Sequence, residues 1–117
     1  MNKLDRAKQF QDRTKMFAIK IIHVFTALPK LEPARIIGRQ FLRSGTSVAA
    51  NYRAASRARS KVADETLFWL DLLVDSGLVR LEVVEPLRIE CNELVRIFSS
   101  SLATAKSNRS ITHSPAR

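Results

Sequence analysis

The sequence predicts an all-α protein folded as an antiparallel, up-and-down four-helix bundle. Apolar residues recur every three to four positions in four successive segments, which is the spacing of amphipathic helices. Glycine and proline are scarce, at 3 and 4 of 117 residues, and no segment shows the sustained alternation of a half-buried strand. The only strand-like run, residues 78–84, is short. A chain of this length corresponds to one domain.

The first two helices are separated by prolines. Pro29 ends the first and Pro33 opens the second, because proline is tolerated in a first helical turn and not in a helix interior. The first apolar stripe comprises Phe10, Thr14, Phe17, Ile21, Val24 and Leu28. The second comprises Ile37, Phe41, Ser44, Val48, Tyr52 and Ala55.

The third helix is predicted from about Val62 to Asp75, and Ser76-Gly77 is its stop signal. Its stripe comprises Ala63, Leu67, Leu70 and Val74, and that of the fourth helix comprises Leu87, Cys91, Leu94, Phe98 and Leu102. Residues 1–105 are therefore expected to form the helical bundle domain. Residues 106–117 are polar, basic and unpatterned, and we expect a disordered tail.

The charge balance favours an acidic partner. The chain has 20 Lys and Arg against 11 Asp and Glu, a net charge of +9. Nucleic acid is the first candidate and an acidic membrane surface the second, and the alternative is a soluble protein with basic tails. One cysteine excludes a disulfide framework, and no apolar run resembles a signal peptide or a membrane span. These features predict a soluble cytoplasmic protein without a membrane partner.

Arginines dominate the polar side of the second predicted helix. Five fall opposite its apolar stripe at about 100° per residue: Arg35, Arg39, Arg43, Arg53 and Arg57. Like charges four residues apart destabilise a helix, so an acidic partner is expected, either carboxylates of neighbouring helices or subunits, or a phosphate backbone. Binding through phosphates would be nearly indifferent to base sequence. Arg59 would point into the core, so the regular helix is expected to end between residues 56 and 60.

Small residues fill "SGTSVAAN", residues 44–51. They allow two backbones to approach closely, either within one bundle or between subunits, and periodicity does not separate these alternatives.

No residues of the sequence converge as a catalytic site would. His23 is expected to be a partly buried structural histidine, and His113 lies in the tail. Cys91 lies on a core stripe, and the acids Asp64 and Glu65 are typical of a helix start. Trp69 is expected in the core or an interface. There is no phosphate-binding loop, dinucleotide fingerprint or metal-ligand spacing, so we expect no enzyme, cofactor or metal.

Two ordered motifs carry a family resemblance. "FLRSGTSVAANYRAASRARS" (residues 41–60) and "ADETLFWLDLLVDSGLV" (63–79) resemble the four-helix bundle proteins encoded in intervening sequences of bacterial 23S ribosomal RNA genes. The matching positions are Gln40, Arg43, Ser44, Ser47, Ala50, Asn51, Glu65, Thr66, Trp69 and Leu70. The resemblance covers about residues 8–105. It implies a homo-oligomer, typically a pentameric ring, and kinship with the accessory protein of diversity-generating retroelements, which binds nucleic acid and a reverse transcriptase.

One departure from the family pattern precedes Ala63. An apolar stretch of roughly a dozen residues, about three helical turns, is missing there. The third helix is therefore expected to be shortened, or to merge with the second, and the missing stretch puts the pentamer in doubt. Together these observations predict a non-enzymatic oligomer that binds RNA or DNA through its arginine face. The alternative is a scaffold or accessory protein whose arginine face contacts a subunit or partner.

Overall fold

The structure is a computed structural model that describes the backbone of residues 2–51 and 54–113 and the side chains of residues 2–51 and 54–100. Four helices follow one another in the chain: α1 (Lys3–Thr26), α2 (Glu32–Ala50), α3 (Ser56–Asp75) and α4 (Leu81–His113). Each helix packs on the next one in sequence, and α1 also contacts α4. The predicted all-α four-helix bundle is therefore confirmed, and the described residues contain no strand.

The helix ends follow the local chemistry of the chain. The side chain of Asn2 caps α1, because its Oδ1 accepts a hydrogen bond of 2.8 Å from the backbone N–H of Asp5. Pro33 lies in the first turn of α2, as predicted. After α3 the chain reverses at Gly77, whose φ of +78° favours glycine.

The start of α3 is where the sequence prediction was wrong. The helix begins at Ser56, not near Val62, and its 20 residues match the 19 of α2. Residues 56–60, the arginine- and serine-rich end of the first motif, therefore form the start of α3. Helix α2 ends at Ala50 and does not merge with α3. The prediction rested on the stretch missing before Ala63, and on Arg59, whose charge was expected to end the regular second helix between residues 56 and 60.

The fourth helix also begins earlier than its apolar stripe indicated. It starts at Leu81, so part of the strand-like run is helical and Pro86 lies within the helix. Its backbone continues to His113, past Lys106, where the tail was predicted. The side chains after Ser100 and residues 114–117 lie outside the described residues, so the division into a domain and a disordered tail stays a prediction.

The core contains residues of all four predicted stripes, but Ala55 of the second stripe is exposed and caps the start of α3 because α2 ends at Ala50. Its buried apolar members include Phe17, Ile21, Phe41, Val48, Ala63, Leu70, Leu87, Cys91, Leu94 and Phe98. Tyr52 and the side chain of Leu102 lie outside the described residues.

Glycines bring α1 and α2 together. A Cβ at Gly45 would lie 2.7 Å from Cγ1 and Cγ2 of Ile21, and one at Gly38 would lie 2.6 Å from Cδ1 of Leu28. The close approach that the small residues predicted thus occurs between two helices of one chain at Gly45.

Candidate nucleic-acid interface

Three of the predicted arginines form a row on the exposed side of α2. Arg35, Arg39 and Arg43 are all exposed, and each lies about one helical turn from the next. At a rise of about 1.5 Å per residue, the row extends roughly 12 Å along the helix axis. We call these three residues the arginine row.

Of the other two predicted members, only Arg57 lies among the described residues, and it does not extend this row along α2. Arg57 is exposed but belongs to α3, so the prediction that one helix carries it together with Arg35 was wrong. The physical reason is the break after Ala50, which the apolar pattern through Ala55 did not reveal. Arg53 lies outside the described residues.

The chain's carboxylates pair mainly with other arginines. Arg13 of α1 donates from Nε and Nη2 to Glu90 of α4 at 2.8 and 2.7 Å, and its Nη2 lies 3.0 Å from Glu93. These contacts raise the pKa of Arg13 above its ordinary value, the hydrogen bond to Glu90 contributing most. A partly buried ion pair with Glu90 and a more exposed one with Glu93 therefore connect the first and last helices.

A second partly buried pair joins α3 and α4. Arg88 Nε donates to Asp71 Oδ1 at 2.7 Å, which raises the pKa of Arg88. Arg13 and Arg88, which form the partly buried ion pairs, thus belong to α1 and α4 and not to the arginine row on α2.

Little acidic charge compensates the row within the chain. Arg35 lies 4.0 Å from Glu32, and both side chains are mostly exposed, a geometry that contributes little stability. Among the described residues, Arg39 and Arg43 form no ion pair. The carboxylates that the sequence led us to expect from neighbouring helices therefore do not reach these two guanidinium groups.

Two grooves flank the arginine row. The first, of about 360 Å³, lies between the end of α1 and the start of α2. It is lined by Phe25, Thr26, Leu28, Pro29, Lys30, Ala34, Arg35 and Arg39. Three cations therefore share one edge of this groove.

The second groove, also about 360 Å³, lies between α2 and α3. It is lined by Gln40, Arg43, Ser44, Ser47, Val62 and Glu65. Five of these residues belong to the two sequence motifs, but the motifs did not show that they share a groove. The spacing of Gln40, Arg43 and Ser47 along one edge of α2 was the available signal.

Arg59 is a partly buried arginine whose guanidinium packs against core aromatic rings. Its guanidinium carbon lies 4.6 Å from the ring centre of Phe98 and 5.3 Å from that of Phe10. Nε and Nη2 are buried and have no hydrogen-bond partner among the described residues, and burial lowers the pKa of Arg59. The two rings supply cation–π attraction, which allows α3 to continue through this position.

The nucleophile and metal candidates occupy unreactive positions. Cys91 is buried, its Sγ donates to the carbonyl of Ala63 at 3.4 Å, and burial raises its pKa to about 12. The thiolate is therefore disfavoured at neutral pH. Among the described residues, no three metal-ligating side chains form a cluster.

Two smaller predictions about polar residues were wrong. His23 is exposed on α1, not partly buried. Asp64 and Glu65 lie in the third turn of α3 because the helix begins at Ser56, so the dipole at a helix start does not explain them. The side chain of His113 lies outside the described residues.

Over the part of the chain that the structure describes, no helix is sufficiently long and apolar to cross a membrane.

The solved structures that resemble this chain include a protein whose family is known. It is a Bacteroides thetaiotaomicron protein of unknown function from the S23 ribosomal protein family. Its sequence is 29% identical to this chain, and the two structures superimpose with a TM-score of 0.65. The match covers 77% of this chain and 94% of the neighbour. No family model matches this chain, and the comparison with curated proteins finds no match. The similarity supports a relationship with the S23 family in fold and sequence.

Proposed function

We propose that this chain is a non-enzymatic, oligomeric four-helix bundle that binds RNA or DNA through phosphates held by the arginine row. The observation that carries the proposal is the exposure of Arg35, Arg39 and Arg43 on one face of α2, with no ion pair to Arg39 or Arg43 among the described residues. Guanidinium groups are well suited to phosphate oxygens, and adjacent like charges are relieved when a polyanion binds.

The overall charge supports the same proposal. A net charge of +9 attracts a polyanion over a longer range than the row alone, and the Arg13 and Arg88 pairs leave the row's charge unneutralised. Phosphate contacts carry no direct sequence information, so the row by itself holds RNA and DNA of any sequence.

A salt titration tests this function. Binding to a mixed-sequence RNA and a DNA of equal length should weaken with salt, with a slope of about 0.7 to 0.9 in log K per log salt for each neutralised phosphate. Changing Arg39 and Arg43 to Gln should lower the affinity and reduce the slope by roughly one unit for each lost contact.

The matched control removes two cations elsewhere. Lys106 and Arg109, in the predicted tail, are changed to Gln, which gives the same net charge as the double variant of α2. If the tail variant loses binding while the α2 variant keeps full affinity, the arginine row is not the binding surface.

The second candidate function is a scaffold in which the arginine row contacts acids of another copy or of a protein partner. It is favoured by exposed acids on α3 and α4, including Asp75 and Glu82, and by exposed apolar residues. Val83 is 65% exposed, Ile89 55% and Met16 52%. Light scattering at micromolar concentration should give a mass well above 13.2 kDa for either oligomeric function. A monomer at every concentration would exclude self-assembly.

The size of the oligomer and its partners belong to the same proposal. The family resemblance favours a pentamer and a nucleic-acid or reverse-transcriptase partner. A dissociation of the oligomer by Arg39→Gln, with no loss of nucleic-acid affinity per subunit, would favour the scaffold function.

A further inference from the structure

The groove between α2 and α3 combines groups that the arginine row lacks. Besides Arg43, it contains an amide (Gln40), a carboxylate (Glu65) and two hydroxyl groups, with Val62 as an apolar wall. Its volume of about 360 Å³ lies at the lower end of the range of small-molecule sites. The groove is therefore large enough for one planar polar group.

The hydrogen bonds of the groove determine which groups remain available. The hydroxyl of Ser47 donates to the carbonyl of Arg43 at 2.7 Å, and that of Ser44 donates to the carbonyl of Phe41 at 3.3 Å. Both hydroxyl protons are thus used within α2. The side chains of Gln40 and Arg43 make no hydrogen bond to another described side chain and remain available as donors.

Glu65 faces the same groove as an acceptor. One of its oxygens, Oε1, lies 3.4 Å from Nε1 of Trp69, which donates a weak hydrogen bond and favours one orientation of the carboxylate. Glu65 and Arg43 line the same groove but form no ion pair with each other among the described residues. A guanidinium and a carboxylate thus border one space without neutralising each other.

We propose that this groove binds an unpaired guanine base, a proposal that rests on the proposed nucleic-acid function. Guanine presents O6 and N7 as acceptors, the pair that arginine recognises most often. Its other edge carries N1–H and the N2 amino group, two adjacent donors that match the two oxygens of Glu65. Adenine, cytosine and uracil offer no such pair of adjacent donors, so guanine fits this combination of Arg43 and Glu65 best.

The surroundings favour a single strand. Phe68 is 56% exposed and packs edge-to-face on Trp69, with ring centres 5.0 Å apart, next to the groove residue Glu65. An exposed aromatic ring can stack on a base that is not in a duplex. Phosphates on one side of the bound guanine would reach Arg35 and Arg39, so the arginine row and the groove would bind one strand together.

This inference changes the expected readout of sequence. The arginine face alone was expected to bind every sequence nearly equally, because arginine was its only base-reading side chain. Gln40 and Glu65 lie beside Arg43 and can distinguish base edges. We therefore expect a base preference in addition to the electrostatic affinity.

The first experiment titrates the four nucleoside monophosphates and follows the fluorescence of Trp69, the only tryptophan of the chain. Because Trp69 contacts Glu65, occupation of the groove should change its emission. GMP should give a saturable change at concentrations at which AMP, CMP and UMP give none. No response to GMP, or an equal response to all four, would overturn the proposal. This titration needs no RNA binding, so it is independent of the proposed function.

The second experiment compares a uridine dodecamer with the same RNA carrying one central guanine. The native protein should bind the guanine-containing RNA roughly 10-fold more tightly, as expected for one two-bond base contact. Glu65→Gln should bring this ratio close to one. Asp75→Asn is the matched control, because it removes an equal charge from an exposed site of α3 that does not line the groove and should keep the ratio.

The ratio separates the two proposals. Both acid-removing variants should bind the uridine dodecamer somewhat more tightly, because a negative charge is lost. Equal binding of the two RNAs by the native protein, or an unchanged ratio in Glu65→Gln, would overturn the guanine site and leave the arginine row intact. Absence of binding to both RNAs together with a GMP response would refute the arginine row and keep the groove.

Discussion

Replacing Gly45 by alanine tests the closest contact between α1 and α2. The added methyl group would lie 2.7 Å from Cγ1 and Cγ2 and 2.8 Å from Cδ1 of Ile21. Ile21 is fully buried and β-branched, so it cannot turn away within its helix. Overpacking of this kind destabilises by about 1–3 kcal/mol, while alanine favours a helix by about 1 kcal/mol over glycine. Gly45→Ala should therefore lower the free energy of unfolding by up to about 2 kcal/mol.

A second substitution should reverse the sign. Ile21→Ala removes all three carbons that crowd the new methyl group and by itself destabilises by about 2–5 kcal/mol. In that background Gly45→Ala should stabilise by about 1 kcal/mol, because its helix propensity acts without the clash. Ile21→Val, which removes Cδ1 alone, should give an intermediate result.

Urea unfolding followed by circular dichroism at 222 nm measures the four stabilities of this cycle. We expect a coupling energy of about 1–3 kcal/mol between the two sites. A Gly45→Ala variant as stable as the native protein in both backgrounds would refute the close approach of α1 and α2 at this position.

Five further outcomes follow from burial and charge. Leu70→Ala should destabilise the protein by about 2–5 kcal/mol, because Leu70 is fully buried. Arg39→Ala should destabilise it by under about 0.5 kcal/mol, because Arg39 is exposed. If Arg39→Ala unfolds the protein, the arginine row is not an exposed surface. Arg13→Ala should destabilise by about 1–2 kcal/mol at low salt and less at high salt, since two carboxylates lose their partner. The native Cys91 thiol, with its pKa raised to about 12, should react with a disulfide reagent at pH 8 only as fast as the protein unfolds. Because burial raises the pKa of this thiol, its contribution to the free energy of unfolding is complete below the ordinary thiol pKa and is lost as the pH rises toward about 12. Rapid labelling of Cys91 at pH 8 would contradict its burial. Arg59→Met should stabilise by about 1 kcal/mol in urea unfolding, because two buried nitrogens without a described partner outweigh the cation–π attraction; a loss of stability would reverse that ranking.

The helices were predictable because each carries a local apolar pattern, and Phe17, Phe41, Leu70 and Leu94 are buried as that pattern indicates. The start of α3 was not predictable from such a pattern. Arg59 interrupts the apolar stripe, and the residues that accommodate it, Phe10 and Phe98, belong to two other helices. A neighbour so distant in sequence leaves no trace in local periodicity.

The candidate site was predictable in part for the same reason. The spacing of Arg35, Arg39 and Arg43 within α2 sufficed to place them on one exposed face. The groove beside them requires the register of α2 against α3, which brings Glu65 next to Gln40 and Arg43. Register is a property of the packed bundle, so the sequence showed the residues of the groove but not the groove.

The pairing of α1 with α4 has a consequence for the order of folding during synthesis. Two contacts join the two ends of the chain: the rings of Phe10 and Phe98, whose centres lie 5.5 Å apart, and the ion pair of Arg13 with Glu90. At about 5–20 residues per second, roughly 5–20 s separate the emergence of Phe10 from that of Phe98. During that interval α1 can pack on α2, and α2 on α3, but the α4-facing side of α1 has no partner. The α4-facing side of α1 is thus the surface of the nascent chain that stays uncovered longest. It is open during that time to chaperones or to the α4 of a neighbouring copy.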